Sequence, residues 1–349
     1  MSHDGSTFWA DKWPNIKALT MAMAITSGCL MMVCSPYATL IQVTTRRSDF
    51  VGSFVMKVGF IGLGTMGRPM ALNLIKHQHQ LTVYARRAAS LKPLVDGGAA
   101  AEDSPAAVAA GCDVIFTMLT GTDDVESVIL GTAGIAEGAT PGTIVIDTST
   151  IDPGQTRMIG KQLEQRHIDF LDAPVSGGPQ GAKDASLSIM VGGKAEVLAR
   201  ARPLFDCLGT KVLHMGEQGA GQGTKACHQL LLLITAQGVA EALTLAKRAG
   251  LDVQQVQQAM MGGMASSRVL DFFGDRMARR DFSAGIESRL YYKDLHIVME
   301  LAHSLGVTLP AGDVTMQFVD GLHSRGRGSD DLSSLITLVE ALGEPTSTK

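Results

Sequence analysis

The stretch Met56-Lys-Val-Gly-Phe-Ile-Gly-Leu-Gly-Thr-Met-Gly67 decides the fold. Lys57 to Ile61 is a short apolar run and reads as a buried strand. Gly62, Leu63, Gly64, Thr65, Met66 and Gly67 follow it, and a helical pattern runs from about Thr65 to His77. A strand, a GxGxxG turn and a helix in that order make a dinucleotide-binding fingerprint. Gly62 permits the tight turn, Gly64 lets a pyrophosphate approach the backbone, and Gly67 lets the helix pack on the strand. The helix N-terminus offers N–H groups and a positive dipole end to the phosphates. Without its flanks the same spacing would be no more than a glycine-rich turn.

Downstream, strand and helix patterns alternate, which predicts an α/β domain with a mostly parallel, doubly wound sheet. The next strand, Leu81 to Tyr84, runs into Ala85-Arg86-Arg87. An NAD site usually places Asp or Glu here for the ribose 2′-hydroxyl. Arg86 and Arg87 instead suit a 2′-phosphate, because a guanidinium matches phosphate geometry. NADP is therefore the expected cofactor and NAD the alternative. Further strands are expected at Asp113–Met118, Thr143–Ile146, Ile168–Leu171 and Leu187–Val191. Met118, Leu119 and Thr150 follow strand ends, where ligands bind in such sheets, and are expected on the nicotinamide side. As an isolated residue, a threonine there is more often a helix cap. In Asp172-Ala-Pro-Val-Ser-Gly-Gly-Pro179, Ser176 and the N–H groups of Gly177 and Gly178 could hold a substrate carboxylate or hydroxyl; the plain alternative is a loop.

From about Gly219 the pattern becomes all-helical. A long helix is expected over roughly residues 223–249, and its nearly continuous apolar character predicts burial rather than a membrane span. Lys225 falls at its start, after Gly219-Ala-Gly-Gln-Gly-Thr224. The helix dipole and burial both lower a lysine's pKa there, which makes it a usable general acid or base. Gln229, at i+4, shares its face and could orient substrate. His228, at i+3, either assists or is a satisfied buried histidine.

Bulk properties exclude other classes. With 349 residues, net charge −4 and 5% aromatics, the chain has neither the basic field nor the stacking surface of a nucleic-acid binder. Cys29, Cys34, Cys112, Cys207 and Cys227 form no CxxC pair, so no metal site is expected. A reducing, cytoplasmic setting fits them, with Cys112 and Cys207 in the core. Residues 1–55 stand apart: an apolar stretch from Ala18 to Val33 partly imitates a leader or anchor, yet Met56 reads as the natural start of a domain. The expected division is an extension at 1–55, a cofactor-binding domain at 56–218 and a helical domain at 219–349.

Four motifs in this order resemble the β-hydroxyacid dehydrogenases: Gly62-Leu-Gly-Thr-Met-Gly67, Asp172-Ala-Pro-Val-Ser-Gly-Gly178, Gly219-Ala-Gly-Gln-Gly-Thr-Lys225 and Lys293-Asp-Leu295. The resemblance covers the chain from Met56 onward. It implies a Rossmann domain, a long interdomain helix and an all-helical C-terminal domain that mediates homodimers or homotetramers; the long helix itself, with Thr235, Gln237 and Glu241 inside it, predicts no stable membrane association. It implies Lys225 as catalytic acid/base, a small carboxylate substrate held by Ser176, Gly177 and Gly178 with Gln229, and Lys293 reaching the cofactor from the second domain. The implied reaction interconverts a short β-hydroxy acid and its aldehyde acid, as in tartronate semialdehyde reductase, with 3-hydroxyisobutyrate dehydrogenase as the alternative. A non-catalytic NADP-binding protein is the reading of another class. His228 departs from the family, which often has Asn there; the related 6-phosphogluconate dehydrogenases have His but a longer C-terminal region.

Overall fold

The central strands are nearly continuous buried runs, so both faces of the sheet are covered. The structure is a computed structural model. It describes residues 55–283 and 285–342 and, before them, only two short paired strands, Ile25–Thr26 and Cys29–Leu30. The reading of the N-terminal extension otherwise lies outside the described residues. The sheet strands are β1 Lys57–Ile61, β2 Gln80–Tyr84, β3 Ala100–Ala101, β4 Val114–Thr117, β5 Ile144–Asp147, β6 Asp169–Asp172, β7 Val175–Ser176, β8 Leu187–Gly192 and β9 Gly209–Gly216. Their order is β3-β2-β1-β4-β5-β6-β8-β9, with β7 paired to β8. Strands β1 to β6 are parallel; β8 runs antiparallel to β6, and β9 parallel to β8. This is the doubly wound dinucleotide-binding order, and it reverses between β1 and β4, which opens a crevice at their C-terminal ends.

One face of the sheet buries Val58, Phe60, Val114, Phe116, Ile144 and Ile146 against Phe205 and Leu204. Phe116 stacks on Phe60 at 5.8 Å and meets Phe205 edge-on. The other face buries Ile115, Val145 and Phe170 with Ile159 and Leu163. Period-two alternation on a doubly covered sheet produces these two cores. The strands expected from sequence are present with ends shifted by a residue or two. The short strands β3 and β7 and the edge strand β9 escaped the sequence reading. Two of them are two residues long, and β9 is largely exposed and so carries little apolar signal.

The helices that position the site are α1 Gly67–Lys76, α2 Thr122–Leu130, α3 Pro153–Glu164, α4 Gly178–Lys183, α5 Ala220–Arg248 and α6 Ser288–Ser304. Asp152, not Thr150, caps α3, accepting from the Gln155 N–H at 2.6 Å. In the helical region Leu233, Ala236, Ala240 and Leu243 of α5 bury against Leu295 and Val298 of α6 and against Leu322 and Leu335. By length and hydropathy alone α5 could cross a membrane, its most apolar 18-residue window averaging 1.5. Here α5 is the central helix of the region, with Gln222, Lys225, Gln229 and Gln237 on its buried face.

Candidate active site

The glycines of the first turn divide the labour as their spacing suggests. A Cβ on Gly62 would strike the Met118 carbonyl, and one on Gly67 would strike the Gly62 carbonyl; Gly62 also sits at φ +98°. Both positions therefore require glycine to bring β1, α1 and the loop after β4 together. A Cβ on Gly64 would meet nothing within 4 Å, so open space lies over the start of α1. Leu63 is buried beside the turn, and Thr65 is exposed at its rim. A pyrophosphate fits that geometry, with the helix N-terminus beneath it.

Arg86 and Arg87 follow β2 and are both exposed. Arg86 faces Asp124 of α2 at 3.6 Å, too solvated a pair to fix either side chain. The loops after β4 and β5 are knotted through polar groups. Buried Asp147 accepts from the Thr117 hydroxyl at 2.7 Å and the Ser149 hydroxyl at 2.6 Å, while Ser149 Oγ accepts from the Leu119 N–H at 2.8 Å. Met118, Leu119 and Thr150 are half-buried along this edge.

Helix α5 begins at Ala220, three residues earlier than expected, so Lys225 lies in its second turn. Gly219 caps it at φ +86°. Gly221 lies so close to β6 and β8 that a Cβ would strike the Met190 carbonyl and come within 2.6 Å of the Asp172 carbonyl. Of the glycines that looked like a loop, Gly221 is the one that lets the first turn of α5 seat on the sheet. Asp172, at the end of β6, accepts from the Gly219 N–H at 2.8 Å and the Gln222 N–H at 2.9 Å. Burial nonetheless pushes its carboxyl up to about 6. Gln222 accepts from the Ile151 N–H and donates to the Ser149 carbonyl, tying α5 to the loop after β5.

One turn further along, Lys225 Nζ donates to the Val175 carbonyl at 2.9 Å. Burial, opposed by Asp294 and aided by Lys293, lowers its pKa to about 8. Ser176 Oγ and His228 Nε2 are 2.9 Å apart, His228 Nδ1 and Gln229 Oε1 also 2.9 Å, and Gln229 Nε2 donates to Asp294 Oδ2 at 2.5 Å. Lys293 Nζ reaches Asp294 Oδ1 at 2.8 Å and donates to the Thr150 carbonyl at 2.5 Å. Lys225, Ser176, His228, Gln229, Asp294 and Lys293 therefore share one cluster, which runs from the β7 turn through α5 to α6 and ends on the loop after β5. Gly177, at φ +139°, and Gly178, at φ +64°, turn the chain from β7 into α4 beside Ser176.

Sequence reasoning did not single out Asp294, Asp172, Asp147 or Gln222. Asp172, Gln222 and Asp294 lay inside quoted motifs without being given a role, and Asp147 and Asp172 end apolar strands, where an acid has no packing reason to be. A cleft of about 760 Å³ opens between Thr120–Ser127 and the Tyr292–Glu300 face of α6, beside Lys293. Among the described residues no three His, Cys, Asp or Glu side chains converge on a common point.

Known proteins match this architecture along its length. Residues 57–216 match the family described as the NAD binding domain of 6-phosphogluconate dehydrogenase, and residues 219–339 match the NAD-binding region of NADP-dependent 3-hydroxyisobutyrate dehydrogenase. The chain is 38% identical over 291 residues to 2-hydroxy-3-oxopropionate reductase of Escherichia coli (strain K12), covering 82% of this chain and 98% of that one. It is 36% identical over 287 residues to mitochondrial 3-hydroxyisobutyrate dehydrogenase of Rattus norvegicus, covering 80% and 85%. The solved structure of Mycobacterium tuberculosis 3-hydroxyisobutyrate dehydrogenase with L-serine superposes with a TM-score of 0.75 at 30% identity, over 82% of this chain and 99% of that one.

Proposed function

The chain belongs to the β-hydroxyacid dehydrogenase family, and from that premise we propose that it reduces 2-hydroxy-3-oxopropionate to glycerate with NADPH. The coarser activity, NAD(P)-dependent interconversion of a short β-hydroxy acid and its carbonyl form, is the family's own. The observation that carries the proposal is a lysine buried in the same cluster as Ser176, on a helix seated at the C-terminal edge of a dinucleotide-binding sheet.

The nicotinamide cofactor, when bound, supplies the hydride. Gly62 to Gly67 would hold its pyrophosphate, Met118, Leu119 and Thr150 would flank the nicotinamide, and Lys293 would close the edge from α6. Arg86 and Arg87 would take the 2′-phosphate, which is the ground for NADP over NAD. The Gly177 and Gly178 N–H groups would hold the substrate carboxylate, while Ser176 and Gln229 orient the rest. Lys225 Nζ gives its proton to the carbonyl oxygen during reduction, and the neutral amine takes it back during oxidation. A lysine titrating near 8 can do both at cellular pH.

A panel of small aldehyde acids assayed by NADPH and NADH oxidation at about 340 nm tests this. Turnover confined to NADH, or to 2-methyl-3-oxopropionate, would favour 3-hydroxyisobutyrate dehydrogenase instead; the rat relative supports that second reading. Nucleotide binding without turnover of any acid would leave a binding protein. The same proposal includes a cytoplasmic setting, in keeping with free Cys112, Cys207 and Cys227 among the described residues. It also includes self-association through the helical region, where Leu231, Leu245 and Phe272 are exposed, and no stable membrane or nucleic-acid partner.

A further inference from the structure

The cluster contains a chain of hydrogen bonds whose direction is fixed from one end. A carboxylate only accepts. Asp294 takes Lys293 on one oxygen and Gln229 on the other, so the Gln229 amide must present Nε2 to Asp294 and Oε1 to His228. The reverse orientation would set a carbonyl oxygen against the carboxylate. A carbonyl oxygen also only accepts, so His228 carries its proton on Nδ1. In the neutral imidazole Nε2 is then bare, and it takes the Ser176 hydroxyl proton at 2.9 Å. Ser176 has one proton, and His228 claims it. What Ser176 turns toward the half-open site is lone pairs.

We propose that His228 fixes Ser176 as a hydrogen-bond acceptor toward substrate, so that the site selects an aldehyde acid bearing a hydroxyl on its central carbon over one bearing a methyl there. A hydroxyl donates into Ser176 Oγ. A methyl cannot, and a carboxylate oxygen placed there would face lone pairs, which leaves the carboxylate to the glycine amides. His228 acts only through Ser176 and is a positioning residue. The inference rests on the reductase reading above and adds to it the origin of substrate choice at the family-divergent position.

The charged groups facing His228 are Lys225 from its own helix and Asp294, paired with Lys293, from α6; from the strand side it meets Ser176. Burial and the Lys225 charge hold the imidazole below its ordinary pKa, so Nε2 stays bare at neutral pH. In acid, Nε2 gains a proton and donates to Ser176 Oγ, which releases the serine hydroxyl to donate elsewhere.

The test compares kcat/KM for 2-hydroxy-3-oxopropionate and 2-methyl-3-oxopropionate in wild type, His228→Leu, Ser176→Ala and the double variant. The expected wild-type preference for the hydroxyl substrate is roughly 10–100-fold, the scale of one buried hydrogen bond. It should collapse toward unity in Ser176→Ala, fall partway in His228→Leu, where the serine hydroxyl is present but no longer held as an acceptor, and fall no further in the double variant than in Ser176→Ala. In wild type the preference should also shrink as pH falls below the ordinary histidine range, and this dependence should vanish in His228→Leu. The wild-type pH profile needs no variant and stands even if His228→Leu fails to fold. Turnover of both acids with a ratio unmoved by His228→Leu and by pH overturns the inference and leaves the reductase reading intact. Turnover of neither acid overturns both.

Discussion

Lys225 illustrates how a residue's chemistry is set by where its element begins. Its spacing from Gly219 and its i+4 relation to Gln229 are legible in the sequence; its environment is not, because the Val175 carbonyl and Asp294 reach it from distant elements. Burial is the main cause of a pKa near 8, and that value carries a signed consequence. Reduction needs the protonated amine, so its rate should fall as pH rises through about 8; oxidation needs the neutral amine and should rise over the same interval. Initial-rate pH profiles in both directions check this. In Lys225→Arg both limbs should disappear along with most activity, because a guanidinium does not release its proton in this range. Ser176, His228 and Gln229 were likewise visible as candidates. Their shared proton chain was not, since its direction depends on Asp294, 65 residues from Gln229 in sequence.

At the scale of elements, the glycines of Gly219 to Gly223 read as a loop because glycine disfavours helix. Packing overrides that propensity at Gly221, where only glycine lets the first turn of α5 approach β6 and β8. Gly221→Ala should therefore cost about 1–3 kcal/mol of stability, measured by denaturant unfolding, and should lower activity by displacing Lys225. Asp172 lies at the same junction. Its folded pKa, about 6, exceeds its ordinary 3.8. Its contribution to stability is thus complete below 3.8 and lost as pH rises through about 6. The unfolding free energy of wild type minus that of Asp172→Asn should decline across that window; a flat difference would place the charge elsewhere. The sheet strands themselves were readable from apolar runs, whereas β7, two residues held by pairing to β8, has no local signal to read.

For the whole molecule, the sequence made the order of parts plain: strand–turn–helix first, alternating units next, helices last. It could not show that the helical region reaches back to the sheet through Lys293 and the Thr150 carbonyl. Lys293→Ala removes that link and a positive charge beside the cleft. It should weaken NADPH binding by about tenfold, or ~1.4 kcal/mol, in a fluorescence titration. The central claim is that Lys225 is the proton donor of an NADPH-dependent carbonyl reduction. Its most direct test is to measure kcat for 2-hydroxy-3-oxopropionate reduction and the Kd for NADPH in wild type and Lys225→Ala side by side. The expected result is a kcat lower by about 10²–10⁴-fold with an NADPH Kd nearly unchanged; reduction at the wild-type rate by the variant would contradict the assignment.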